Sequence, residues 1–269
     1  MLSVIIPAHN EGPIIGDCLS ALLASTGAGQ VQVIVAANGC SDQTVLVATG
    51  FAAQAAARGW AMQVLDLPTG GKPGALNAAD AVAVYPARAY LDADVTVSPD
   101  LLAQTMAALS QPGPVYASGR VQITGRGLIA RAYAAAWSRV PFMAQGVPGC
   151  GFFAVNGAGR ARWAAFPPII SDDTFVRLHF TPTERILLDA PYDWPIAEGF
   201  ANLVKVRRRQ DAGVAEIARL YPALPANDGT PKVRKLPLAL HNPLAFAVYS
   251  AVALMVRLTP ASPDWSRGR

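Results

Sequence analysis

Short runs of Val, Ile and Ala, apolar on both phases of a two-residue period, recur down the first half of this chain, separated by longer alanine-rich stretches with helical periodicity. A strand with no polar phase has two faces to bury, and a mostly parallel sheet wrapped by helices supplies that burial. The runs predict strands over Ser3–Ile6, Gln32–Ala36, Met62–Leu67, Ala89–Leu91 and Val115–Gln122. The stretches between them predict helices over Pro13–Ser25, Asp42–Arg58, Gly74–Val84 and Pro99–Leu109, the last opened by Ser98-Pro99 as cap and first helical residue. Further on, helices are expected at Gly127–Val140, from Asp172 to Phe180 and over Glu198–Leu220, with strands at Gly149–Val155 and Arg185–Ala190. The expected class is therefore α/β, a doubly wound and mostly parallel sheet followed by a hydrophobic helical tail.

Composition narrows this further. The chain has 269 residues, 52% hydrophobic and 15% charged, too apolar for a disordered chain and ample for one sizeable core. One catalytic domain over residues 1–222 is expected, with a linker and tail over 223–269. Residues 1–204 carry 11 basic and 14 acidic side chains, net −3, whereas residues 205–269 carry 11 and 4, net +7. That basic end suits an anionic membrane or a phosphorylated substrate. It lacks the interleaved aromatics of a single-strand groove, so nucleic acid is not expected as a partner. Three cysteines without Cys-x-x-Cys spacing indicate reduced thiols in a cytoplasmic setting. Met1–Pro7 has no basic lead and reads as a first strand, not a targeting segment.

In open doubly wound sheets, ligands bind beyond the carboxyl ends of the strands. Polar clusters stand at four successive ends: His9-Asn10-Glu11, Asn38-Gly39-Cys40-Ser41-Asp42, Gly70-Gly71-Lys72 and Asp92-Ala93-Asp94. Asp92 and Asp94 are hard oxygen donors suited to a divalent cation, Mn²⁺ or Mg²⁺, that bridges a diphosphate; alone, such a pair also reads as a solvated turn. Asp172-Asp173 is a second carboxylate pair. One member is fit to be a general base, and both also suit a helix N-terminus capped by Ser171. Gly70-Gly71-Lys72-Pro73-Gly74 is not a Walker loop, since Asp66 and Pro73 occupy the positions of a required Gly and Ser/Thr. It still presents one lysine to an anion at a helix start. The dinucleotide fingerprint is also missing. The arginines of Arg207-Arg208-Arg209-Gln210 sit on a predicted basic helix as a solvated face or as partners for a phosphate.

Taken in order, Val4–Glu11, Asn38–Thr44, Gly71–Asn77, Leu91–Asp94, Gly149–Gly151 and Ser171–Asp173 resemble the motifs of family 2 glycosyltransferases with the GT-A fold. The resemblance implies a nucleotide-diphospho-sugar donor, with Pro7, Asn10, Glu11, Asn38 and Asp42 around the nucleotide, Lys72 near it, and Asp92 and Asp94 on metal and diphosphate. It assigns Gly149–Gly151 to the acceptor side and Asp173, beside Asp172, to the catalytic base of an inverting transfer. Arg208 and Arg209 match only loosely the basic segment of processive members, whose Trp is missing here. The implied acceptor is a glycan, lipid-linked or of the cell envelope or an exopolysaccharide. A sugar nucleotidylyltransferase would want a glycine- and arginine-bearing loop where Ala8–Glu11 stands, and a non-catalytic nucleotide-sugar scaffold would not need Asp92, Asp94 and Asp173 together.

The tail bears on the acceptor. Leu236–Val256 holds 21 residues without a formal charge, about 31 Å as a helix, but Pro237 and Pro243 interrupt it. An interfacial or re-entrant helix, a kinked span, and docking on the catalytic domain all remain open. Lys232–Lys235 just before it fits a flank facing anionic lipid on the cytoplasmic side.

Overall fold

A computed structural model describes residues 1–231 and 239–258. Eight strands form one sheet: β1 (Leu2–Ala8), β2 (Val31–Asn38), β3 (Ala61–Leu67), β4 (Arg88–Leu91), β5 (Thr96–Val97), β6 (Tyr116–Thr124), β7 (Phe152–Val155) and β8 (Arg185–Pro195), in the order β3-β2-β1-β4-β7-β6-β8-β5. The β3-β2-β1-β4 half is parallel. β7 runs antiparallel to both neighbours, β6 pairs parallel with β8, and β5 caps the edge antiparallel. The helices are α1 (Ile15–Leu23), α2 (Thr44–Thr49), α3 (Ala52–Ala57), α4 (Lys72–Val82), α5 (Leu101–Leu109), α6 (Leu128–Trp137), α7 (Pro141–Gln145), α8 (Gly157–Arg160), α9 (Asp172–Arg177), α10 (Phe200–Leu220) and α11 (Pro243–Leu258).

The unalternating strands behave as their composition requires. Leu2, Val4 and Ile6 of β1 pack into one core with Leu19 and Leu22 of α1 and Leu101 and Leu102 of α5. Ile5 points the other way, into a second core with Ile34, Leu76 of α4, Phe153 of β7 and Val176 of α9. Each fully buried Val, Leu or Ile contributes about 1.5–3 kcal/mol, which fixes which residue of β1 faces which layer. β3 is the exception: as the edge strand it is largely exposed or half-buried along its length.

Several expected boundaries move for local reasons. The helix expected over Asp42–Arg58 is two helices, broken at Gly50-Phe51, where glycine weakens helical continuity. The strand expected from Gly149 starts only at Phe152, because Gly149 and Gly151 adopt φ of 71° and 75°. β8 continues past Ala190, since a register shift between Ser118 and Arg120 of β6 accommodates Pro191. β5, α7 and α8 are too short to carry a periodicity that the sequence alone reveals.

The described residues beyond 222 lie against the rest of the chain. Asn227 and Asp228 accept from Arg185 through their carbonyls, while the Asp228 carboxylate and Thr230 bond Arg177. α11 packs on α6 and α10 in a third cluster built on Tyr133, Trp137, Leu203 and Val252. Leu236–Leu238 of the expected hydrophobic run fall outside the described residues, as does the Lys232–Lys235 flank. Among the described residues, no helix is long and apolar enough to cross a membrane.

Candidate active site

The first two strand ends bind each other. Asn10, with φ 52°, accepts the Ser41 N–H at 2.7 Å on its side-chain oxygen. Glu11 donates its N–H to Thr44 Oγ1 at 2.7 Å, and Gly12 donates to Asp42 at 3.0 Å. Asp42 also accepts from the Thr44 N–H and hydroxyl. Burial alone would raise its pKa, but these donors outweigh it and lower it. Asn38 is buried; its amide donates to Ala8 O and Ala36 O and accepts the Gly71 N–H at 2.9 Å. Asn38 and Asp42, expected around a nucleotide, thus spend these bonds on shaping two loops and the glycine turn ahead of Lys72. Pro7, by contrast, lines the cleft.

That cleft lies where the end of β4, the turn before β7 and the start of α9 converge. Lys72, Tyr90, Asp92, Gly149, Gly151, Asp172 and Asp173 line it. Lys72 enters from the first turn of α4, beside Pro73, after Gly71 has turned the chain with φ 136°. Its ammonium contacts Asp92 Oδ1 at 2.8 Å and Asp172 Oδ2 at 3.1 Å, joining two strand ends and a helix start. Burial works against the charged lysine, but Asp172 and Asp92 outweigh it and hold it protonated. Burial raises the pKa of Asp172, with Lys72 opposing. Asp173 is pushed up to about 6, first by burial and then by the adjacent Asp172 charge. It accepts the Thr174 N–H at 2.6 Å, which aims one oxygen along the helix start. Asp94 lies half-buried in the turn after β4 and does not itself line the cleft. Its charge, with those of Asp92 and Glu11, adds to burial in keeping the Cys18 thiol protonated. Arg208 and Arg209 lie on α10, outside the cleft lining. Their neighbour Arg207 reaches Asp211 at 2.8 Å and the Tyr133 and Tyr249 hydroxyls, tying α6, α10 and α11 together.

Four supports escaped sequence reasoning. Tyr90 stacks on Phe153 and bonds Asp80, which also pairs with Arg88 and Arg160. Tyr116 presses its buried hydroxyl on Gly149, where a Cβ would overlap it. Gly213 lets α10 meet Ser171, directly ahead of the carboxylate pair. Arg177, 2% exposed and one turn after Asp173, donates to Gly146 O, Asp228 and Thr230. The only sequence signal for it is a charge between Val176 and Leu178 in an otherwise apolar stretch.

Among the described residues no group of three or more His, Cys, Asp or Glu is placed to hold a metal ion. The donor set at the end of β4, carboxylate oxygens of Asp92 and Asp94, is nevertheless of the type that Mg²⁺ and Mn²⁺ prefer, provided further oxygens come from a ligand. Lys72 occupies Asp92 Oδ1 at 2.8 Å in this structure.

The profile described as Glycosyl transferase family 2 matches residues 3–151, more than half of the chain. The chain belongs to glycosyl transferase family 2. A mannosyltransferase of Pyrobaculum calidifontis, solved with GDP-Man and Mn²⁺, is similar in fold at TM-score 0.63 and 19% identity, covering 97% of this chain and 76% of that one. S. aureus TarS 1-349 follows at TM-score 0.59 and 15% identity, covering 94% and 72%. Glucosyl-3-phosphoglycerate synthase of Mycobacterium tuberculosis, solved with Mn²⁺, UDP and glucosyl-3-phosphoglycerate, gives 0.52 and 18%, covering 86% and 81%. Against a longer TarS structure this family 2 chain spans 39% of that protein's length. A search of curated proteins finds no match.

Proposed function

We propose that this family 2 chain is an inverting, divalent-cation-dependent glycosyltransferase. It moves a sugar from a nucleotide-diphospho-sugar to a hydroxyl of a lipid-linked or cell-envelope glycan, at the cytoplasmic face of a membrane. The observation that carries the reading is the cleft itself: a carboxyl poised near pH 6 at Asp173 shares it with Lys72 and Asp92. A base titrating close to working pH suits proton removal from an acceptor hydroxyl as that oxygen attacks the anomeric carbon. In this reading Lys72 would meet the charge of the departing diphosphate directly, and Asp92 would do so through a bound cation. Asp92 and Asp94 would hold a divalent cation, which would supply charge neutralisation for the leaving diphosphate. Similar folds solved with UDP-GlcNAc, GDP-Man and UDP lend support.

The test is a thermal-shift screen of UDP-, GDP- and dTDP-sugars with Mn²⁺, followed by donor turnover with the wild type and Asp173→Asn. Donor binding in both proteins, with turnover reduced about 10²–10⁴-fold in the variant, is expected. Binding without turnover in either protein would point to a nucleotide-sugar scaffold instead.

A further inference from the structure

We infer that α11 is an in-plane docking helix for an anionic bilayer, which rests on the membrane part of the reading above and gives it a surface. Ala245 and Val252 on its inner face are buried against α6 and α10, so the helix cannot roll to hide its other side. That other side is apolar too. Leu244, Ala251, Leu254 and Leu258 repeat at helical spacing, and the three leucines are 70%, 56% and 68% exposed. A helix with leucines exposed opposite its packed face is served by a second apolar medium there. Sixteen residues span about 24 Å, short of a hydrocarbon core, so the medium is met along the helix and not across it.

Charge selects which medium. Exposed Arg257 interrupts the leucines, and on α6, which packs against α11, the 83% exposed Leu128 sits between exposed Arg126 and Arg131. Residues 205–269 carry net +7. Leucines flanked by arginines match an acyl boundary beneath anionic headgroups, whereas a second copy of the chain would bring like charge against like.

Flotation of the full chain with vesicles tests this. Binding to phosphatidylcholine vesicles containing phosphatidylglycerol is expected, at least about tenfold stronger than to phosphatidylcholine alone and weakened by salt. A Leu254→Glu/Leu258→Glu double variant should lose about tenfold or more of that binding with its circular dichroism and donor thermal shift unchanged. In Leu254→Trp, emission should shift blue on vesicles and be quenched by brominated acyl chains. Unchanged binding by the double variant, equal binding to neutral vesicles, or a solution dimer that the double variant dissociates would each overturn the inference. Loss of donor turnover with vesicle binding intact would count against the proposed function alone.

Discussion

Asp173 is held up mainly by burial and then by Asp172, while Lys72 pulls the other way. If it is the base, the rate should fall as pH drops through about 6, because only the ionised form accepts a proton; a kcat profile against pH checks this. Lys72→Ala removes the stabilising charge, so the acid limb should move to higher pH, together with weaker donor binding. Stability should run opposite to activity. The folded pKa exceeds the unfolded one, so ionising Asp173 costs stability as pH rises from about 4 towards 6. Asp173→Asn should therefore melt higher than the wild type at pH 7 while losing transfer, as calorimetry would show. At this scale the sequence was legible where chemistry alone narrows the choice: paired carboxylates just after a strand or before a helix are few. The inward hydrogen bonds of Asn38 were not legible, because whether a side chain at a strand end bonds a neighbouring carbonyl depends on the loop from Gly70 that packs over it.

Among the elements, the turn at Gly149 and the contact at Gly213 set the shape of the cleft. Gly149→Ala combines a φ of 71° with overlap on the Tyr116 hydroxyl, and should lower stability by several kcal/mol and abolish activity. Tyr116→Phe should do the reverse. The hydroxyl is buried without a hydrogen-bond partner, so its removal should leave stability equal or about 1 kcal/mol higher in urea unfolding. Gly213→Ala offers a third check. Alanine normally gains up to about 1 kcal/mol in a helix, yet here its methyl would strike Ser171, so melting temperature should fall and be partly restored by Ser171→Ala. Strand and helix identity was legible because periodicity and proline or glycine punctuation are local. The bulge that carries β8 through Pro191 was not, since it is decided by the partner strand, and the start of β7 was not, since it is decided by the left-handed turns at Gly149 and Gly151.

For the molecule as a whole, Arg177 binds α9, the loop before the Gly149 turn and the segment at 228–230 into one body. Arg177→Met should cost on the order of 3 kcal/mol in denaturant unfolding and lower turnover with it. Fold class was legible at this scale because it follows from both faces of β1 and β2 being apolar. The attachment of residues 227–230 was not, because it runs through Arg177 and Arg185, two buried arginines far away in sequence. β7 adds a last consequence. By running against β4, it delivers its own beginning to the rim where β4 ends, so Asp92 N–H bonds Gly151 O at 2.8 Å and two remote stretches close one cleft. A protein nicked between residues 92 and 149 would carry half a cleft on each fragment, and any turnover from mixed fragments would measure how well they find each other again.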